Sequence, residues 1–276
     1  MPCIPIGDIQ LNCEVDGEGT PLVLLHGLGG DLNYWAADAP VFAKHHRVVR
    51  PDLRGFGQTD KPAGPYSPGL FAGDVARLLD ANRIEDAHVL GISMGGVIAQ
   101  RLALDHPARV RSLVLVSTSS EVGASSIAAW QRLADKIERQ GFDSASADAR
   151  RSFSKGFAER HPEIVAELGR RNAACDPHGY AAAARAVADY NWTAELAMVT
   201  VPVLILQGLD DQLTPPGGSV KMSRVLPQAR LLMIAEAGHN LPLEQPALFH
   251  NAVLAFLAGV DLTMSGIVRE LRRHRK

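Results

Sequence analysis

The sequence has no excess of charge of either sign. Its 28 Lys and Arg face 30 Asp and Glu, for a formal net charge of -2, so neither nucleic acid nor an anionic membrane is expected as a partner. Cysteine is scarce: Cys3, Cys13 and Cys175 form an odd, scattered set. They suggest neither a disulfide framework nor a metal-ligand pattern, and point to a reducing compartment. No uninterrupted apolar run is long enough to span a bilayer. The opening Met1-Pro2-Cys3-Ile4-Pro5 lacks the basic region and apolar stretch of a secretory signal. Internal repeats are missing, as is any low-complexity tract beyond the alanines after Tyr180. These absences predict a soluble, cytoplasmic chain. Its 276 residues, 46% hydrophobic and 21% charged, can bury a substantial core as one large α/β domain or as a domain with an insertion.

What is present centres on Gly91-Ile92-Ser93-Met94-Gly95-Gly96. Ala87 to Leu90 reads as a short buried strand, and Val97 to Leu104 places apolar residues at helical spacing before His106-Pro107 stops the run. A strand that turns at once into a helix forces a sharp reversal at Ser93. The strained backbone leaves no room for side chains two positions to either side, which is where the glycines fall. Such a turn lifts the hydroxyl clear of the sheet and aims the free N–H groups of the helix, led by Met94, at whatever carbonyl the serine attacks.

Upstream, Ile9, Leu11, Cys13 and Val15 alternate with polar residues as in a half-buried strand, and Pro21 to Leu25 forms a fully apolar one. The latter ends in the side-chain-poor loop His26-Gly27-Leu28-Gly29-Gly30. Arg47 to Arg50 and Val110 to Val116 read as further strands, and Leu70 to Leu79 as a helix. This alternation predicts a parallel sheet with helices on both faces. From about Ser119 to Thr200 the strands stop. Helical runs over Ala128 to Arg139, His161 to Ala173 and Tyr180 to Asp189 predict a helical insertion packed on the core. Strands resume at Pro202 to Gln207 and Arg230 to Ile234, and a last helix runs from about Pro246 to Leu257.

A serine hydroxyl needs a base to take its proton, and the base needs an acid to orient it. Gln207-Gly208-Leu209-Asp210-Asp211 and Ala237-Gly238-His239 both follow strands, where the reactive loops of a parallel sheet gather. The order serine, acid, histidine matches one hydrolase architecture and differs from the chymotrypsin-like and subtilisin-like orders. Asp210 and Asp211 are both candidates for the acid.

With these pieces in place, the chain resembles the α/β-hydrolase superfamily, in the branch of small esterases, 3-oxoadipate enol-lactonases and C–C hydrolases with a helical cap. The resemblance rests on His26-Gly27-Leu28-Gly29, Asp52-x-Arg54-Gly55-x-Gly57, Gly91-x-Ser93-x-Gly95, Gly208-x-x-Asp211-x-x-x-Pro215 and Gly238-His239 with Glu244 and Pro246 behind it. It implies a mostly parallel eight-stranded sheet flanked by helices, a core over 1–118 and 200–260, a cap over 119–199 and a basic tail over 261–276. It also implies Ser93 as nucleophile, His239 as general base and then acid, Asp211 rather than Asp210 as the orienting carboxylate, and the backbone N–H groups of Leu28 and Met94 as oxyanion donors. His26, Asp52, Arg54 and Glu244 are then bracing residues. No metal or organic cofactor is implied.

The expected reaction is hydrolysis of a small carboxylic ester or lactone through an acyl-enzyme. Because the base must be unprotonated, turnover is expected to climb where an ordinary imidazole titrates, near roughly pH 6.5. Trp130, Tyr180, Trp192 and Leu213 are candidate pocket residues, while most of the other cap aromatics are expected to pack inward. Asp176-Pro177-His178-Gly179-Tyr180 is similar to segments of 3-oxoadipate enol-lactonases, and Arg132 or Arg185 is a candidate partner for a substrate carboxylate. A C–C hydrolase and a cofactor-free perhydrolase would use the same three residues, and a ligand receptor without turnover is a rival of another class. Ser93 argues against the aspartate-nucleophile dehalogenases and epoxide hydrolases of this fold.

Overall fold

The structure is a computed structural model and describes residues 3–143 and 148–259. The expected basic tail over 261–276 lies outside the described residues. The first half of the chain runs β1 (Ile4–Ile6), β2 (Ile9–Leu11), β3 (Cys13–Asp16), β4 (Thr20–Leu25), α1 (Ala39–Phe42), β5 (His46–Pro51), α2 (Pro68–Ala81), β6 (Ala87–Ile92), α3 (Met94–Asp105) and β7 (Val110–Val116). Helices α4 (Ala124–Gln140), α5 (Lys155–Arg160), α6 (Pro162–Ala173) and α7 (Pro177–Ala186) follow. The chain then closes with β8 (Val203–Gly208), α8 (Gly217–Val225), β9 (Ala229–Ile234), α9 (Leu241–Glu244) and α10 (Pro246–Leu257).

The main sheet has seven strands in the order β3-β5-β4-β6-β7-β8-β9, not the expected eight. Only β3 runs antiparallel, against β5; β4 through β9 pair in parallel. A separate difference lies at the N-terminus, where the alternation from Ile9 to Val15 reads as one strand. The buried Asn12 interrupts it by donating its backbone N–H to Thr59 Oγ1 (2.9 Å) and its side-chain N–H to Asp52 Oδ2 (2.8 Å). Ile9 to Leu11 then folds back on Ile4 to Ile6 as a separate two-stranded ribbon. Alternation reports which residues are buried, not which strand accepts their hydrogen bonds.

The sheet is buried on both faces. Val23, Val89, Leu113 and Ile205 pack against α2, α3 and α8 through Phe71, Leu78, Ile98, Leu102 and Met222. Leu22, Leu90, Val114 and Leu204 pack on the other side against Trp35, Phe42, Phe249 and Val253. All six residues of β6 are buried, which is why its sequence is apolar without alternation. The helices begin where side chains can cap them. Ser67 Oγ accepts the Leu70 N–H (3.1 Å) at α2, and Asp176 Oδ1 accepts the Gly179 N–H (2.7 Å) at α7, each sparing one orphan donor.

Between β7 and β8 the described residues form no strand, only an isolated bridge from Glu121 to Asn191. Helices α4 and α7 approach closely through Ala134, Ala181 and Ala184. Arg185 joins their exposed flanks, with Nη2 2.7 Å from Asp135 and 2.6 Å from Glu138. Phe153, Phe157 and Val165 form a separate apolar cluster under α5 and α6. The helical segment is tied to the sheet domain by Trp192, whose Nε1–H donates to Gln100 Oε1 (3.1 Å), and by Ser154, whose N–H donates to Glu244 Oε2 (2.9 Å).

Two histidines on β5 and β6 carry a measurable consequence. His88 and His46 meet edge to face at 5.8 Å, and His88 Nδ1 lies 2.7 Å from Ser112 Oγ. Burial pushes His88 down to about 4, with His46 and Arg111 adding to it, and burial lowers His46 as well. Between about pH 6.5 and pH 4 the unfolded chain therefore binds a proton that folded His88 refuses. Stability is present above that window and is lost as pH falls through it, by about 1–3 kcal/mol. The melting temperature should drop by several degrees from pH 7.5 to pH 4.5, and His88→Phe should flatten that slope; equal slopes in the two proteins would show that His88 is not the titrating group.

Candidate active site

Ser93 lies between the last residue of β6 and the first of α3, with φ 53° and ψ -118°. A non-glycine residue at positive φ costs of the order of 1–3 kcal/mol and persists only where its surroundings over-determine it. Here its N–H donates to Val116 O (2.9 Å), while its carbonyl accepts the Val97 N–H (3.0 Å) and the Thr118 hydroxyl (2.9 Å). The flanking glycines let α3 start hard against the sheet: a Cβ on Gly91 would meet the Gly95 carbonyl, and one on Gly95 would meet the carbonyls of Leu25 and His26. Met94 is the first helical residue, so its N–H has no acceptor within the helix.

His239 follows β9 and Asp211 follows β8, neighbouring strands that bring the two together. His239 Nδ1 lies 2.9 Å from Asp211 Oδ2, and the carboxylate is buried. A carboxylate facing Nδ1 selects the tautomer that carries its proton there and leaves Nε2 as an acceptor. Asp210, the alternative acid, is exposed and takes no part in this contact. Asp211 Oδ1 accepts the N–H groups of Leu213 (2.8 Å) and Thr214 (2.9 Å). Burial alone would raise the Asp211 carboxyl; the His239 charge and the hydrogen bonds from His239 and Thr214 outweigh it and hold the carboxyl below its ordinary value of 3.8. Glu244 braces the histidine loop by accepting the Gly238 N–H (2.9 Å). Burial raises its carboxyl above the ordinary value against the pull of those backbone donors.

His26 is buried and accepts the Leu53 N–H at Nε2 (3.0 Å), with Nδ1 2.8 Å from Gly27 O. It props the loop that carries Leu28. Asp52 does the same from below, accepting N–H groups from Leu32 (2.7 Å) and Gln58 (2.8 Å). Arg54 is further off, held by Asp74 (2.7 Å) and Asp8 (2.6 Å).

Two cavities meet at Ser93. One, of about 340 Å³, is lined by Ser93, Leu28 and His239 together with Trp130, Tyr180 and Leu213. The other, of about 270 Å³, is lined by Ser93, Leu28 and Met94, again with Trp130 and Leu213. Three of the four expected pocket residues thus border the serine. Trp192 does not: it is buried, stacked on Tyr190 at 4.4 Å and bonded to Gln100, because an indole N–H with an internal acceptor packs into the interface. Neither expected arginine lines either cavity. Arg185 is committed to Asp135 and Glu138, and Arg132 is exposed.

Sequence reasoning missed Thr214, whose hydroxyl lies 2.7 Å from Asp211 Oδ2 and 3.0 Å from His239 Nδ1. Its position just before Pro215, inside the acid motif, was the available signal. It also missed Arg151, which lines the 340 Å³ cavity and makes no hydrogen bond or ion pair among the described residues. Nothing in the run Arg150-Arg151 marks it. No group of three or more His, Cys, Asp or Glu placed to hold a metal occurs among the described residues. No helix among them is long and apolar enough to cross a membrane.

A parallel sheet with a strained serine turn after its central strand, and an acid and a histidine after neighbouring strands, is the arrangement of one large class of enzymes. The chain belongs to the alpha/beta hydrolase fold family, whose model matches residues 20–246, and it is an enzyme of that type. It is 32% identical to 3-oxoadipate enol-lactonase 2 of Acinetobacter baylyi over 253 residues, which is 91% of this chain and 94% of that protein. It is equally, 32%, identical to the 2-hydroxymuconate semialdehyde hydrolase of a Pseudomonas species over 271 residues, 92% of each. Among solved structures, the enol-lactonase from Burkholderia xenovorans superimposes with a TM-score of 0.88 at 31% identity, covering 93% of this chain and all of that one.

Proposed function

We propose that this chain hydrolyses small carboxylic esters or lactones through an acyl-enzyme on Ser93. The observation that carries the reading is the buried Asp211–His239 pair at 2.9 Å, whose imidazole borders the same cavity as a serine held at positive φ. His239 Nε2 takes the Ser93 proton as Oγ attacks the carbonyl carbon. The oxyanion is received by the N–H groups of Leu28 and Met94, each worth on the order of 10²–10³ in turnover. His239 then gives the proton to the leaving oxygen, and water repeats the cycle on the acyl-serine. Asp211 stays ionised throughout and stabilises the imidazolium. In this reading residues 119–199 act as a cap that excludes water and shapes the pocket, over a core formed by 1–118 and 200–260.

The substrate class is narrowed by Arg151. An exposed guanidinium that borders the cavity and has no ion pair among the described residues favours a substrate with its own carboxylate, which a planar fork can bind through two hydrogen bonds. Asp148 shares that rim, but its Oδ1 accepts the Arg150 N–H (3.0 Å). A lactone or ester with a carboxylate is therefore preferred over its neutral counterpart, in keeping with the enol-lactonase relatives. Arg151→Gln is expected to lower kcat/KM for the carboxylate-bearing ester by roughly 10- to 100-fold, the range of a charge-assisted hydrogen bond, and to leave the neutral ester within about twofold. A parallel drop for both would remove Arg151 from recognition. A neutral aryl ester, a carboxylate-bearing lactone and a dienone ring-cleavage product, assayed side by side, test the reaction type: turnover of the dienone alone would replace ester chemistry by C–C hydrolysis.

A further inference from the structure

A third cavity, of about 460 Å³, lies beside the catalytic one. The two share Gly30, Tyr34 and Leu168 as lining residues, and these three form the wall between them. Two members of the wall are fixed by the core. Gly30 donates its N–H to Gly27 O (3.1 Å), and the Tyr34 hydroxyl donates to Asn240 Oδ1 (3.1 Å). Leu168 is different: it comes from α6, is only half-buried, and presents an aliphatic side chain with no polar tie. Beyond it the third cavity continues along Ile164 and Leu243, which with Leu168 pack on the Phe153–Phe157–Val165 cluster. The chamber also carries Asp31, Lys61, Glu163, Glu167, Arg171 and Asp176, so an apolar chain or ring finds its place along the Ile164–Leu168–Leu243 side.

Which half of the substrate faces that wall follows from proton transfer. The general acid must reach the leaving oxygen. His239 lines the 340 Å³ cavity and not the 270 Å³ one, whereas Met94 lines the smaller and not the larger. The alcohol side of the substrate accordingly occupies the larger cavity and the acyl side the smaller. We infer that Leu168 sets the size of the leaving group this enzyme accepts, by closing the alcohol side of the catalytic cavity off from the apolar side of an adjoining chamber. The inference rests on the proposed roles of Ser93 and His239.

The test is two ester series. Alkyl acetates from ethyl to octyl vary the alcohol at constant acyl group, and p-nitrophenyl esters from acetate to octanoate vary the acyl group at constant alcohol. Leu168→Ala should raise kcat/KM for octyl acetate relative to ethyl acetate about tenfold, the scale of one or two methylenes gaining an apolar home. Leu168→Phe should lower the same ratio, and both variants should leave the acyl-series ratio within about twofold. An unchanged alcohol ratio in both variants, or a shift in the acyl series instead, overturns the partition while ester turnover remains dependent on Ser93. Turnover that persists in Ser93→Ala, or no ester turnover by the parent protein, overturns the underlying reading and the partition with it.

Discussion

Ser93→Ala is expected to abolish ester turnover, with kcat falling by at least ~10³-fold and toward the ~10⁶-fold seen when a serine nucleophile is removed. The magnitude follows from the role assigned to the hydroxyl. Without Oγ no acyl-enzyme forms, and only the oxyanion donors and the binding cavity remain to act on water. The fold should survive, because the positive φ is imposed by bonds to the Ser93 backbone, from Val97 and Thr118 and to Val116, none of which uses the side chain. A useful control is Ser93→Gly, which should be equally inactive and yet more stable than Ser93→Ala by up to about 1 kcal/mol, since glycine adopts φ 53° without strain. The two variants separate chemistry from stability: calorimetry reads the strain and an aryl-ester assay reads the hydroxyl. Near-normal turnover in either would end the assignment of Ser93 as nucleophile.

Asp211→Asn should be nearly as severe, with kcat down by about 10³- to 10⁴-fold. The reason lies in how the carboxylate is shared. Oδ1 accepts two backbone N–H groups, from Leu213 and Thr214, and Oδ2 faces His239 Nδ1. Oδ2 also accepts from Thr214 Oγ1 and Gln207 Nε2, but an asparagine that keeps its one carbonyl oxygen toward the two backbone donors turns its NH₂ toward the histidine. Two donors then oppose each other unless the ring moves its proton to Nε2, and in that tautomer Nε2 has no lone pair to receive the serine proton. Asp211→Ala should lose less specificity of tautomer but also the charge that steadies the imidazolium. Because the Asp211 carboxyl titrates below its ordinary value, Asp211 itself is not expected to shape the wild-type pH profile above pH 5. NMR of the ring nitrogens in Asp211→Asn would show the proton on Nε2; a proton still on Nδ1, with kcat near wild type, would refute the orienting role.

Most of the secondary structure is legible in the sequence. The helix expected from Pro246 to Leu257 is found with those bounds, and β6, β7, β8 and α3 lie where their apolar runs place them. These segments are legible because burial on both faces of a sheet demands continuous hydrophobicity, and burial on one helix face demands a 3.6-residue period. Each demand is local, so it is written in neighbouring residues. The N-terminal ribbon is not legible there, for the complementary reason. Asn12 breaks the strand only because Thr59 and Asp52, distant in sequence, are there to receive its donors.

The same division runs through the site. Sequence alone determined that a glycine-flanked serine follows the central strand, that an acid and a histidine follow later strands, and that the chain has the makings of an α/β hydrolase. The preference for Asp211 over Asp210 was already implied by the resemblance; only tertiary structure decided that Trp192 belongs to a packed interface while Trp130 borders the serine, and that Arg151, not Arg132 or Arg185, lines the cavity there. Strand order and turn chemistry are encoded over a few consecutive residues. Which side chain reaches which, across loops of different helices, depends on how independently folded elements settle against one another, and no short stretch of sequence contains that information.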